Sequence, residues 1–477
     1  EALAPAACRD LAFRLGEQEA ALGLSAEGPF HVYLYDGPAH KATVMGAGRT
    51  SIARPWQGQI HVPWTAVGTR VLAHELVHVL AAPAARSALG VPVRRGVLPV
   101  AGLLEGLAVA LEPPRPVATL HDWAAALRRE GLAPPLEELL GPAGFWSLPG
   151  GKAYTLAGSF VRWLLEVHGA PAILALYGGA SFEEACAGNL PALEAAWGAF
   201  LDRRPLDEGL LALATFLYER PAVFRKRCPY AVGRCLADAE RTLAREGPAA
   251  ALPRFRRRVA WDPGDPAGLE TLARILAAAG QPEDAAAVLA RAPAEETLSG
   301  PQAAAARLAR ADVALLAGRT GEARDLLSGL SEEPAGRLWR GEIDERLGLA
   351  RPPARVEVAG LLGLAPAADR RRQVERLLDG EDPILRCLAA TRGLLAVHRP
   401  AAADDDADRC RRALPPGDPL ACAAATAARF AAWVRADLPA ARRWHAVLAG
   451  DCATTLGVRE EEIGDWERRL AWEAAQP

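Results

Sequence analysis

Two stretches of this chain read as buried helices yet carry charge at their centres, and any fold must satisfy both. "VLAHELVHVL", residues 71–80, places His74, Glu75 and His78 among aliphatic neighbours. "VAGLLEGLAVALEPP", residues 100–114, carries Glu105 in the middle of an apolar run. A carboxylate without a partner in such surroundings is costly. The charges must therefore meet one another, an arginine, or a metal.

The spacing says which chemistry suits the first helix. Residues four apart lie one above the other on a helix, so His74 and His78 direct two imidazoles at one point. Zinc takes imidazole nitrogen at about 2.0–2.1 Å. Glu75 is one residue on, about 100° around the helix, which sets its carboxylate beside such an ion. There it can take a proton from water acidified by the metal. The alternative, a satisfied pair of core histidines, leaves Glu75 without a role. A catalytic zinc site wants three protein ligands and an open position. Glu105, 27 residues after His78, is the candidate third ligand, and Gly102 and Gly106 would let its helix approach closely. The competing reading pairs Glu105 with Arg94 or Arg95.

Composition narrows the setting. The chain has 477 residues and a net charge of −3, long enough for two or three domains and without the basic balance of a nucleic-acid binder. Lysine is confined to Lys41, Lys152 and Lys226, which reads as coding bias. No apolar run is long enough to span a membrane. The chain starts at Glu1, as it would after removal of a leader, and eight cysteines are compatible with disulfides. An exported bacterial protein, periplasmic or extracellular, is expected, with "KRCPYAVGRC" suggesting a Cys228–Cys235 bridge. There is no G-x-S-x-G and no phosphate loop.

Residues 1–205 mix strand and helix signals. "FHVYLYD", residues 30–36, alternates as a strand, and "TSIARPWQGQIHVPW" reads as one or two strands about a Gln57-Gly58 turn. Helices are expected at 66–82, 100–112, 118–130, 151–168, 170–177 and 190–203. His61, on the strand before the zinc helix, could line the cleft, but a solvent-facing position is the expected one. Residues 206–245 read as connecting helices. From 246 to 477 the pattern is helical and repeats. "GQPEDAAAVLARA" from Gly280 returns as "GRTGEARDLLSGL" from Gly318, and more weakly as "ADLPAARRWHAVLAG" from Ala436. Each follows an Ala/Leu-rich helix, a tetratricopeptide-like pattern with a long period. Residues 399–419, with Asp404, Asp405 and Asp406, read as a polar loop.

"HELVH" followed by "LLEGLAVALE" resembles the gluzincins, zinc peptidases whose third ligand is a glutamate on the next helix, and most of all the peptidase-MA-like family. Gly58, Ile60 and Val62 match that family's strand, and "YTLAGSFVRWLLEVHG" from Tyr154 matches a later helix. The resemblance covers about residues 1–205. It implies His74, His78 and Glu105 as ligands of one Zn2+, Glu75 as general base, and Tyr154 as a donor to the oxyanion. Ordinary packing is the other reading of Tyr154. The chain departs from the pattern at Val109, four residues past Glu105, where several gluzincins carry an acid that orients the first histidine. Glu112, seven past, reads as a poor substitute.

The expectation is thus an α+β, zincin-like metallopeptidase domain followed by an all-α, repeat-like region. It would hydrolyse a protein or peptide substrate, and the helical region would offer a surface to a protein partner. A catalytically degenerate scaffold, and a zinc hydrolase of non-peptide amides, are the alternatives. From Gly37 through His74 there is no Asp or Glu to hold a substrate ammonium, so an endopeptidase is expected, with "GQIHVPW" as a cleft-edge strand.

Overall fold

The alternating residues His31–Tyr35 form the strand expected of them, β1. It lies parallel to β3 (Gln59–Pro63), and β2 (Ile52–Arg54) pairs antiparallel on the far side of β3. In the computed structural model of the chain, the described residues are 4–476 apart from 27, 49, 95–97, 142–143, 219–228, 262–264, 294, 296–297, 331–332, 352–357 and 392–400. They divide into two units: Glu1–Arg225 with Gly464–Pro477, and Lys226–Ile463.

In the first unit the strand order β1-β3-β2 makes β3 central. The expectation that "GQIHVPW" forms a cleft edge is therefore corrected: β1 and β2 are the edges, because β3 spends both sides of its backbone on neighbours. Ile60 and Val62 of β3 are buried against Leu72, Leu76 and Val79 of helix α3 (Arg70–Leu80) and Leu11 and Leu15 of α1 (Ala4–Leu22). Alternation turns His61 to the opposite face, where α2 (Gly37–Met45) covers it. His61 is 5% exposed, not solvent-facing as its strand position suggested. Its ring stacks on Tyr33 at 4.6 Å, and its Nδ1 lies 2.9 Å from the Tyr35 hydroxyl.

Thr69 caps α3 by accepting from the Val71 N–H. A two-stranded ribbon, β4 (Val93–Arg94) and β5 (Leu98–Pro99), precedes α4 (Ala101–Ala110). Then come α5 (Leu120–Arg129), two single-turn helices α6 (Leu136–Leu139) and α7 (Gly144–Ser147), and α8 (Gly150–Tyr177), which breaks at Gly169 where φ is 79°. Three more helices follow, α9 (Phe182–Cys186), α10 (Leu190–Asp202) and α11 (Glu208–Tyr218). The α4–α8 contact depends on small residues. A Cβ on Gly106 would lie 2.8 Å from the Ala157 carbonyl, and one on Gly158 would lie 2.1 Å from Val109. Val109 fills the hollow over Gly158, which is why that position packs and carries no carboxylate.

A feature without a sequence signal is the return of the C-terminus. Residues from Gly464 on belong to the first unit. Arg9, Asp10 and Arg14 of α1 face Glu473, Arg469 and Asp465, with Asp10 and Arg14 four apart on one side and Asp465 and Arg469 four apart on the other. Arg469 reaches Asp10 at 2.6 Å, Arg14 binds Asp465 through two bonds of 2.6 Å, and Arg9 reaches Glu473 at 3.2 Å. Asp10, Arg14, Asp465 and Arg469 are all buried. Asp10 also accepts from the Gly68 N–H (2.7 Å), and Gln18 donates to the Ala73 carbonyl (2.8 Å). The ladder thus continues to Gly68, just before the α3 cap, and to Ala73 in its first turn.

The second unit is helical: α12 (Pro229–Glu246), α13 (Pro248–Trp261), α14 (Pro266–Ala278), α15 (Pro282–Leu289), α16 (Gly300–Leu316), α17 (Thr320–Leu327) and shorter pieces beyond. The three repeated motifs share one turn. Gly280, Gly318 and Ala436 have φ of 81°, 77° and 61°. After each, the next N–H returns to the carbonyl five residues back: Gln281 to Leu276, Arg319 to Ala314, Asp437 to Ala432, at 2.8–2.9 Å. This left-handed helix ending satisfies the last carbonyls and reverses the chain. Residues 399–419 are corrected: Ala403–Ala413 is a helix. Three aspartates in a first turn complement the helix dipole, and Asp404 is bound by Arg435 and the Trp444 indole. Disulfides join Cys387 to Cys410 and Cys422 to Cys452. The expected Cys228–Cys235 bridge falls on Cys228, outside the described residues. No described helix is long and apolar enough to cross a membrane.

Two stability predictions follow from this packing. Asp465→Ala leaves the buried Arg14 cation with Glu17 (2.6 Å) as its remaining partner and should lower stability to urea by about 3 kcal/mol, whereas leucine at both positions should recover most of the loss; a single variant as stable as the parent would contradict the ladder. Ala436→Gly relieves a left-handed alanine and should raise the unfolding free energy by about 1 kcal/mol in the same assay, where a loss would count against the turn.

Candidate metal centre

Helices α3 and α4 bring three of the singled-out side chains to one point. His74, His78 and Glu105 each offer a ligand atom within 4.8 Å of the other two, and they are the one such group among the described residues. Glu105 Oε2 lies 3.2 Å from His74 Nε2 and 3.6 Å from His78 Nε2. Atoms held about 2.05 Å from a tetrahedral ion are about 3.3 Å apart, so these two separations suit a metal ion as well as a hydrogen bond. The donor set, two imidazoles and one carboxylate, also suits that ion. The His74 and His78 rings stand at 81° with centroids 5.0 Å apart. The Arg94 alternative for Glu105 is not realised: Arg94 is exposed on the β4–β5 ribbon. Arg95 lies outside the described residues.

Glu75 is 7% exposed, and its carboxylate accepts from the Ala53 N–H of β2. Burial pushes its carboxyl above the usual carboxylate range, against the pull of His78 and His74. Tyr154, on the first turns of α8, hydrogen-bonds the Glu105 side chain, and its ring centroid is 6.0 Å from that of His74. Burial, then the Glu105 charge, push the Tyr154 phenol upward.

The reading of Glu112 as a poor substitute is corrected. Its Oε1 lies 3.0 Å from His74 Nδ1. Its Oε2 takes Arg70 at 3.2 Å and Arg115 at 3.1 Å. Seven residues is two helical turns, so Glu112 stays on the Glu105 side of α4, and its position just past the helix end lets the side chain reach further. Arg115 also donates to the Thr155 hydroxyl (3.3 Å), next to Tyr154. Sequence reasoning passed over Arg70, Arg115 and Thr155, and only the acid at Glu112 was a visible signal. His78 Nδ1 has no partner among the described residues.

Other polar clusters do not join this group. His121 Nδ1 is 2.9 Å from Ser159 Oγ and its Nε2 is 3.3 Å from Glu166, but Ser159 is 0% exposed and presents no nucleophile. Asp122 completes the capping box of α5 by accepting from the Thr119 N–H, and it pairs with Arg204 at 2.5 Å.

Burial disfavours the charged His74 ring, yet its bonds to Glu105 and Glu112 outweigh that and hold its pKa up to about 10. Glu105 is opposed by burial but drawn down to about 2 by His74 and His78. Below pH 10 an incoming ion must displace the His74 proton, whereas Glu105 is already ionised. Zn2+ affinity is therefore expected to rise about tenfold per pH unit between pH 6 and 9, with about one proton released per ion. Calorimetry in buffers of differing ionisation enthalpy reads both quantities; an affinity independent of pH would contradict the arrangement.

Comparison with known proteins bears on the helical unit. Residues 242–306 match a family model described as "Tetratricopeptide repeat". No curated protein and no solved structure matches the chain. The matched span holds α13, α14 and α15 with the Gly280 turn, so the region is similar to a tetratricopeptide array, a type of repeat that points to protein partners.

Proposed function

We propose that the first unit is a zincin-like, zinc-dependent peptidase domain of gluzincin type, and that the second presents helical repeats to a protein partner. The observation that carries the catalytic half is the placement of His74, His78 and Glu105 at zinc-ligand separations, with Glu75 beside them. His74, His78 and Glu105 would hold one Zn2+. When bound there, the ion supplies Lewis acidity towards a carbonyl and acidifies water. Ala53 holds the Glu75 carboxylate in position to take a proton from the attacking water and return it to the leaving amine. Glu112 fixes the His74 ring through Nδ1. Tyr154 stands where its hydroxyl can serve the oxyanion. The free edge of β2 suits an extended substrate backbone. An oxidising, exported location belongs to this reading, supported by the two disulfides.

The second reading is a degenerate peptidase fold whose helical repeats alone do the work. The tetratricopeptide match favours its protein-binding part. Metal analysis with a peptide-library assay, with and without chelator, separates the two. Glu75→Gln is expected to keep about one zinc per chain and lose nearly all turnover, and Glu105→Ala to lose zinc. Parent-level hydrolysis by Glu75→Gln, or full zinc in Glu105→Ala, would sink the catalytic reading.

We also propose endopeptidase rather than aminopeptidase action. Acids from elsewhere in the chain such as Asp122 and Glu112 could hold a substrate ammonium, but Asp122 is committed to Arg204, and Glu112 to His74, Arg70 and Arg115. A matched pair of peptides, one free and one N-acetylated, should be cleaved at similar rates. Release of single N-terminal residues that stops on acetylation would overturn this.

A further inference from the structure

Lys and Arg together number 55 in this chain, and three are Lys. One of the three, Lys41 on α2, is 0% exposed. Its ammonium donates to the Ala47 carbonyl at 2.9 Å and the Thr50 carbonyl at 2.7 Å, and lies 5.9 Å from the Tyr35 ring centroid. Enclosing an ammonium is costly unless its donors are used. A compact head with three rotatable donors can meet two converging carbonyls, which the flat fork of a guanidinium does poorly. That accounts for a lysine in a chain that otherwise uses arginine.

The carbonyls it gathers belong to the segment leading into β2, which begins at Ile52. Among the described residues, β2 has β3 on one side and no strand on the other. Its middle residue, Ala53, donates its N–H to Glu75. Burial pushes the Lys41 ammonium below the ordinary lysine range, against the pull of the Glu75 charge. So Lys41 secures the approach to the one strand that both orients Glu75 and presents an open edge.

We propose that Lys41 is a positioning residue: by pinning the Ala47 and Thr50 carbonyls it sets the place of β2, and with it the Ala53–Glu75 contact and the edge on which an extended peptide lies. Its consequence for catalysis rests on the metallopeptidase reading; its consequence for β2 does not.

The test compares the full chain with Lys41→Met, which keeps the unbranched stem and removes the donors. Hydrogen exchange read by mass spectrometry should be at least tenfold faster across residues 46–54, with residues 70–80 and zinc content unchanged. For hydrolysis, kcat/KM should fall at least tenfold on peptides long enough to span β2, through KM from the displaced edge and through kcat from the loosened Glu75, and less on dipeptide derivatives, which feel only the second. A merely structural role would lower the melting temperature and leave the long-to-short ratio unchanged. Exchange across residues 46–54 at the parent rate, or an unchanged ratio, overturns the proposal. If the parent cleaves neither class, the peptidase reading fails and exchange alone decides the role of Lys41. If Lys41→Met does not fold, Lys41→Gln takes its place with the same readouts.

Discussion

The His74 imidazole is held from both nitrogens by carboxylates, Glu105 at 3.2 Å and Glu112 at 3.0 Å, and the first unit is arranged around that pairing. Two acids can be enclosed between apolar helices only if cations or a metal match them. His74 and His78 match Glu105, and Arg70 and Arg115 complete Glu112. The crossing of α3 over α4 is therefore set by charge as much as by apolar contact. Gly106 and Gly158 allow α8 to close on α4, which brings Tyr154 and Thr155 to the same place. His74, Glu75, His78 and Glu105 lie on α3 and α4, with Ala53 on β2 and Tyr154 on α8, regular elements whose side chains are well constrained, while Glu112 and Arg115 sit just past the end of α4.

A second set of buried charges gives α1 its partner. Many helices in this chain offer similar faces of alanine and leucine, so apolar burial discriminates weakly among them. The complementary order of Asp10 and Arg14 against Arg469 and Asp465 accepts one register of one helix. Buried ion pairs add little net stability compared with apolar residues, and their best-attested use is such selection. Because Asp10 and Gln18 also bond Gly68 and Ala73, the C-terminal segment bears on the start of the helix that carries His74.

The helical unit is built on other terms. Its repeated turn needs a left-handed residue, and glycine supplies it at Gly280 and Gly318 while Ala436 adopts it with strain. Cys387, Cys410, Cys422 and Cys452 are all buried in one core. That arrangement and the tetratricopeptide match point to a stable surface for a protein partner, whatever the first unit does chemically.

Local spacing made part of this legible in the sequence. His74 and His78 share a face because they are four apart, Glu105 is conspicuous because its helix is otherwise apolar, and Gly280 and Gly318 mark turns because few residues tolerate their backbone. Each of those inferences needs only the residues within a few turns. What only the tertiary structure decided are partnerships across long separations. Glu112 meets His74 from 38 residues away, and Asp10 meets Arg469 from 459 away. The edge position of β2 depends on strand order, and the burial of Lys41 on how a short helix without an apolar stripe lies over the sheet. Three aspartates read as a solvated loop until Arg435 and Trp444 came to Asp404. Spacing along a helix is fixed by 3.6 residues per turn; which distant charge arrives at a site is fixed by the packing of the whole unit.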